Sequence, residues 1–142
     1  NRDTSAPSSP RGTPPARHDR RGASKDRRAI GELVQTLVQR EGVTPDRIVV
    51  LTPHRRDNSS LKGCESLGDV PLASDAGDRA GRVLHTTLGA FKGLESDVVI
   101  LADVDLADPR CNRRARYVAA SRARHRLHVW GGDGWNDPDV GV

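Results

Sequence analysis

Two short stretches constrain the fold of this chain more than any other feature. Ile48-Val49-Val50-Leu51 and Val98-Val99-Ile100-Leu101-Ala102 are unbroken apolar runs rich in β-branched residues. A strand with one face in water alternates apolar and polar side chains. A run without alternation fits a strand covered on both faces, as inside a parallel sheet. Thr52-Pro53 ends the first run and Asp103 ends the second. Helices must then lie on both sides of the sheet.

The rest of the pattern agrees. Ile30, Leu33, Val34, Leu37 and Val38 recur at helical spacing, with Ser24 as N-cap, Asp26 in the first turn and Gly42 as the stop. Thr44-Pro45-Asp46 makes a turn into the first apolar run. Residues 57–81 are rich in Gly, Ser and Asp and offer only a short strand near 70–72. Further strands are expected over 82–87, 97–103 and 127–130. Pro109 can open a helix over 110–122, with Cys111, Ala115, Val118 and Ala119 on one face and Arg113, Arg114 and Arg116 largely elsewhere. This order of elements argues for a three-layer α/β domain with a mostly parallel sheet. In such sheets ligands gather beyond the carboxyl ends of strands, where Thr52-Pro53, Thr87-Leu88-Gly89 and Asp103 sit.

The ends read differently. Residues 1–23 hold four of the nine prolines among Ser, Thr, Gly and Arg, without apolar periodicity. Such a stretch buries too little to offset the ordering of its backbone, so it is expected to be a disordered linker. The domain is expected over 24–131, and the Gly- and Asp-rich residues 132–142 as a flexible tail. The chain starts at Asn1 and contains no Met, as expected for a piece of a longer protein.

Charge is concentrated. The formal net charge is +4, yet residues 110–126 carry seven Arg and no acid, and residues 1–23 carry five Arg against two Asp. The remainder is net acidic. Basicity gathered this way suggests a site for phosphate groups of nucleotide or nucleic acid; the plainer alternative is a solvated helix face and a solubilising tail. Cys64 and Cys111 lie far apart without metal-ligand spacing, so neither a disulfide framework nor a zinc site is expected, and a reducing cytoplasm is the default. No run is long enough to cross a bilayer as a helix, so no membrane partner is expected.

The motifs narrow the function. Thr86-Thr87-Leu88-Gly89-Ala90-Phe91-Lys92-Gly93-Leu94-Glu95 runs directly into an apolar strand, and Tyr117-Val118-Ala119-Ala120-Ser121-Arg122-Ala123-Arg124 follows a short distance on. The first resembles motif V and the second motif VI of UvrD/Rep-like superfamily-1 helicases; residues 44–53 are similar to motif IV. The three stand in family order over about residues 25–131. The resemblance implies a RecA-like C-terminal motor domain, of the UvrD-like helicase C-terminal type. ATP with Mg²⁺ would be held mainly by an N-terminal RecA-like domain absent from this chain, and the partners would be that domain and single-stranded DNA, with RNA left open. Arg122 would be the arginine finger, Gly93 would let a backbone N–H approach phosphate, Glu95 would meet ribose hydroxyls, and Lys92 could touch phosphate. Phosphoryl transfer requires charge placed against the γ-phosphate, and the planar, always protonated guanidinium suits that task. Thr87, Thr52, His54, Arg55 and Arg56 are the candidate nucleic-acid contacts.

Departures limit the reading. The usual motif V His is Gly89 here, and the 28 residues between Pro53 and Arg82 leave no room for a large inserted domain. The chain has no Gly-x-x-x-x-Gly-Lys-[Ser/Thr], hence no β/γ-phosphate cradle, and is not expected to hydrolyse ATP alone. Two other functions compete. One is a non-catalytic basic adaptor for nucleic acid or protein. The other is a Toprim-like Mg²⁺ nuclease built on Asp103 and Asp105, with Glu95 as a third acid.

Overall fold

In the computed structural model, which describes residues 16–19, 21–91, 95–105 and 107–131, the two apolar runs are neighbouring strands. They are Ile48–Thr52 (β2) and Ser96–Val104 (β6), parallel, with Ile48 opposite Val98 and Leu51 opposite Leu101. The other strands are Ala16–His18 (β1), Ser66–Leu67 (β3), Val70–Ala73 (β4), Val83–Thr87 (β5) and Ala123–Gly131 (β7). Their order is β1-β7-β6-β2-β5-β4-β3. All pairs are parallel except β3 with β4. The expected α/β class and mostly parallel RecA-like sheet are therefore present.

Strand periodicity divides the core in two. Val49, Leu51, Val99 and Leu101 face one side, where they join Phe91, Leu127 and the Ala119 and Ala120 of helix Arg113–Ser121 (α2). Ile48, Val50, Val98 and Ile100 face the other, against Ile30, Val34 and Leu37 of helix Ala23–Gln39 (α1). Each such side chain contributes roughly 1.5–3 kcal/mol by leaving water. Both faces of β2 are covered, which is why its sequence shows no alternation.

Several local expectations need correction. Helix α1 starts at Ala23 with Gly22, not Ser24, in the capping position, and no side chain caps it there. Gly22 has φ 113, which suits glycine, and Asp26 reaches back so that Oδ1 accepts the Arg21 N–H at 2.8 Å. The helix ends as expected ahead of Gly42, whose φ of 72 turns Val43 N–H back onto the Leu37 carbonyl. Part of the expected linker is structured: Ala16–His18 adds a strand to β7, and His18 stacks on Trp130 at 3.9 Å between ring centroids. A three-residue strand pairing through backbone needs no apolar period, so composition gave no sign of it. Residues 1–15 and 132–142 lie outside the described residues.

The arginine-rich segment also differs in detail. Pro109–Cys111 forms a single 3-10 turn before α2 begins at Arg113. Cys111 and Ala119 are buried as expected; the side chains of Arg113, Ala115, Arg116 and Val118 lie outside the described part. Strand β7 starts at Ala123, four residues earlier than its apolar pattern indicates. Exposed Arg124, His125 and Arg126 occupy its first turn-out from α2 and mask the strand.

Candidate functional site

The residues singled out from sequence separate into two groups at opposite ends of the sheet. Thr52 and Thr87 are register partners at the carboxyl ends of β2 and β5. Leu88 N–H donates to the Thr52 carbonyl at 2.9 Å, so the chain leaves both strands together. Thr52 is fully buried, and its hydroxyl donates to the His54 carbonyl. It holds the loop and cannot itself touch a nucleic acid. Thr87 is half-buried and its Oγ1 accepts from Ala90 N–H at 3.2 Å. His54 is partly exposed and lies 2.7 Å from Asp108 Oδ2, which joins this loop to the one after β6. Arg55 is exposed.

Arg56 is half-buried and its guanidinium is engaged inside the protein. Its guanidinium donates to His85 Nδ1 at 3.2 Å, to the Cys64 carbonyl at 3.2 Å and to Ser74 Oγ at 2.8 Å. Three internal acceptors fix it as a clamp between β5, β4 and the loop after β2. Because arginine only donates, His85 Nδ1 must accept, and its proton sits on Nε2, facing Thr52 Oγ1 at 2.9 Å. Burial, then the Arg56 charge, push His85 down to about 4, against a smaller opposing pull from Asp103. His85 was missed in the sequence; a polar residue inside an otherwise buried strand was the available signal.

Asp103 and Asp105 each accept hydrogen bonds from neighbouring backbone. Asp103 Oδ2 accepts from Ser60 N–H at 2.8 Å, and Oδ1 accepts from the Ser60 hydroxyl. Asp105 Oδ1 accepts from Ala107 N–H at 3.0 Å. Among the described residues no group of three or more His, Cys, Asp or Glu is placed to hold a metal ion. Glu95, the proposed third acid, is at the far end of β6. Asp103 has φ 58, and the β6–β7 register shifts beside it; its bonds to Ser60 hold that conformation.

The second group lies at the amino ends. Glu95 immediately precedes β6 and Arg122 immediately precedes β7. Ser96 is opposite Ala123, and Ser96 N–H donates to the Arg122 carbonyl at 3.1 Å. Glu95 and Arg122 are thus one strand spacing apart, about 4.8 Å in a sheet. This pair lies at the amino ends of its strands, away from the carboxyl ends where Thr52, Thr87 and Asp103 sit. β5 ends at Thr87 and β6 begins at Ser96, so Thr87 and Glu95 stand at opposite rims of the sheet. Glu95 is exposed; Arg122 is half-buried, with Nε buried and without a hydrogen-bond partner among the described residues. The closing bond of α2, Arg122 N–H to the Ala119 carbonyl at 3.2 Å, and the buried Ala119 and Ala120 fix where Arg122 leaves the helix. Lys92 and Gly93 lie outside the described residues.

The same rim is rich in cations. Asp97 lies 3.7 Å from Arg47 and from Arg124, and 3.8 Å from His125. Ser96, 4% exposed, donates its hydroxyl to the Arg47 carbonyl at 2.7 Å and accepts from Arg79 at 3.2 Å. Sequence reading missed both Ser96 and Arg79. Neither belongs to a recognisable motif, and only the convergence of β2, β5 and β6 brings them together.

The family model of the UvrD-like helicase C-terminal domain matches residues 83–130, from the start of β5 almost to the end of β7. Glu95 and Arg122 both fall inside that match. No curated protein matches the chain.

Proposed function

We propose that this chain is the second motor domain of an ATP-dependent superfamily-1 helicase. In this reading Arg122 and Glu95 close over ATP and Mg²⁺ held mainly by a separate phosphate-loop domain. The observation that carries it is the adjacency of Glu95 and Arg122 at the starts of two parallel strands. Arg122 would donate to γ-phosphate oxygens as charge shifts in transfer, and Glu95 would accept from ribose hydroxyls. Lys92 and Gly93 would add the phosphate contacts that the motif resemblance implies. The carboxyl-end loops would meet the single-stranded DNA backbone through His54, Arg55 and Thr87, with Thr52 and Arg56 as their supports. Nucleotide and nucleic acid would then act on opposite ends of one sheet.

The test uses the protein in which this chain is joined to its phosphate-loop domain, measured for DNA-stimulated ATP turnover. Arg122→Ala should lower kcat by about 10³-fold, the scale of other arginine fingers. A loss below about tenfold removes the finger assignment. An adaptor without catalysis would bind nucleic acid equally well with and without nucleotide, and the substitution would leave that unchanged.

A further inference from the structure

His54 and Asp108 stand 54 residues apart in the chain, yet Nε2 of one meets Oδ2 of the other at 2.7 Å. A carboxylate only accepts, so His54 Nε2 carries the proton and donates it. The His54 side chain is 35% exposed and that of Asp108 16%, so solvent and a ligand can reach the histidine. Asp108 also anchors the segment that leads to Arg122. Its N–H donates to the Asp105 carbonyl and its carbonyl accepts from Cys111 N–H, both at 2.9 Å. Cys111 is buried, and α2 begins two residues later. β6 ends at Val104 and β7 begins at Ala123, at opposite rims of the sheet, and α2 lies between them in the chain. Its nine residues make a rod roughly 13 Å long, and Arg122 follows directly. One short helix therefore separates the anchor of His54 from Arg122. Arg122 keeps its Nε buried without a hydrogen-bond partner among the described residues, an arrangement that a shift of α2 would relieve.

We propose that the His54–Asp108 contact is a latch that single-stranded DNA opens: a backbone phosphate takes the His54 donor, Asp108 is released, and α2 carries Arg122 toward nucleotide. This rests on the reading that the carboxyl-end loops meet nucleic acid and that Arg122 meets nucleotide. One imidazole N–H serves one anionic acceptor well, so the Asp108 carboxylate and a phosphate compete for it. Asp108 is then a positioning residue that acts through α2, not a ligand contact. Removing it relieves His54 of its competitor, so DNA binds more tightly and the open state is populated without DNA. Arg55 and Glu95 lie outside the latch, and their substitution leaves it closed.

The test compares Asp108→Ala, Asp108→Glu, His54→Ala and Arg122→Ala in the full protein. It reads ATP turnover with and without oligothymidylate, affinity for that oligonucleotide, and melting temperature. Asp108→Ala should raise turnover without DNA by about fivefold, the scale of one partly exposed ion pair. DNA binding should tighten by a similar factor, and turnover at saturating DNA should hold. His54→Ala should also raise turnover without DNA, yet weaken DNA binding, and Asp108→Glu should fall between Asp108→Ala and the unaltered protein. Opposite shifts in DNA affinity do not arise from a general loosening of the fold. Unchanged DNA-free turnover in Asp108→Ala, alongside the expected collapse in Arg122→Ala, overturns the latch and leaves the motor reading standing. Equal losses with and without DNA in both Asp108 variants, with a lower melting temperature, also overturn it, because Asp108 would then only support α2. Absence of any loss in Arg122→Ala sinks the motor reading and this proposal together.

Discussion

Asp103 illustrates how a charged residue with catalytic appearance can be structural. Its left-handed backbone costs a non-glycine residue something, though Asp tolerates it better than most. The two bonds to Ser60 offset that cost by holding the 57–63 loop against β6. Asp103→Ala should therefore lower stability by about 2 kcal/mol in urea denaturation, from buried Ser60 donors left unmet. His85 gives the companion prediction. Its folded pKa is about 4, below the ordinary 6.5, because burial and Arg56 disfavour the charged ring. His128 is pushed to about 4 by burial, then by His18 and Arg126. Between these values the unfolded chain binds protons that the folded chain refuses, so stability is complete above pH 6.5 and declines as pH falls toward 4. Melting temperature should drop across that window, and His85→Gln should make the drop shallower. A flat profile would contradict the buried neutral pair.

Among elements, α1 depends on a close approach that only small residues permit. A Cβ on Gly31 would stand 3.1 Å from the Gly68 nitrogen, where the helix crosses the β3–β4 turn. Gly68 itself has φ 61 and lies under the Gln35 side chain, which donates to Asp69 at 3.2 Å. Gly68→Ala should cost roughly 1–2 kcal/mol, since the turn demands a left-handed residue. An unchanged denaturation midpoint would show that the turn can reorganise. Helix α2 is anchored differently, through small buried Ala119 and Ala120 against the sheet. Small contacts bring the helix close to β6, which is what places Arg122 beside Ser96.

For the molecule as a whole, the proposed function assigns the two ends of the parallel sheet to two different ligands. Substitutions at one end should affect one ligand and spare the other. In the joined protein, Arg55→Ala should weaken single-stranded DNA binding across sequences and reduce the salt slope by about one, with the Michaelis constant for ATP unchanged. Glu95→Gln should raise that constant and leave DNA affinity in the absence of nucleotide alone. Crossed effects of equal size from both substitutions would argue against separate ends. No helix among the described residues is long and apolar enough to span a membrane.

The three-layer class, the central strands and the pairing of Lys-Gly-Leu-Glu with Tyr-Val-Ala-Ala-Ser-Arg were determined by sequence alone. Apolar runs report two-sided burial directly, and motifs are local strings. The positions of Glu95 and Arg122 relative to one another were not, because Ser96 and Ala123 come together only through strand register. The fate of each cation was decided the same way. Arg55 and Arg56 are adjacent and alike in sequence, yet one is exposed and the other grips His85, Cys64 and Ser74. Charge is a property of the residue; whether that charge meets an internal acceptor or stays open to a ligand depends on which distant strands fold against it.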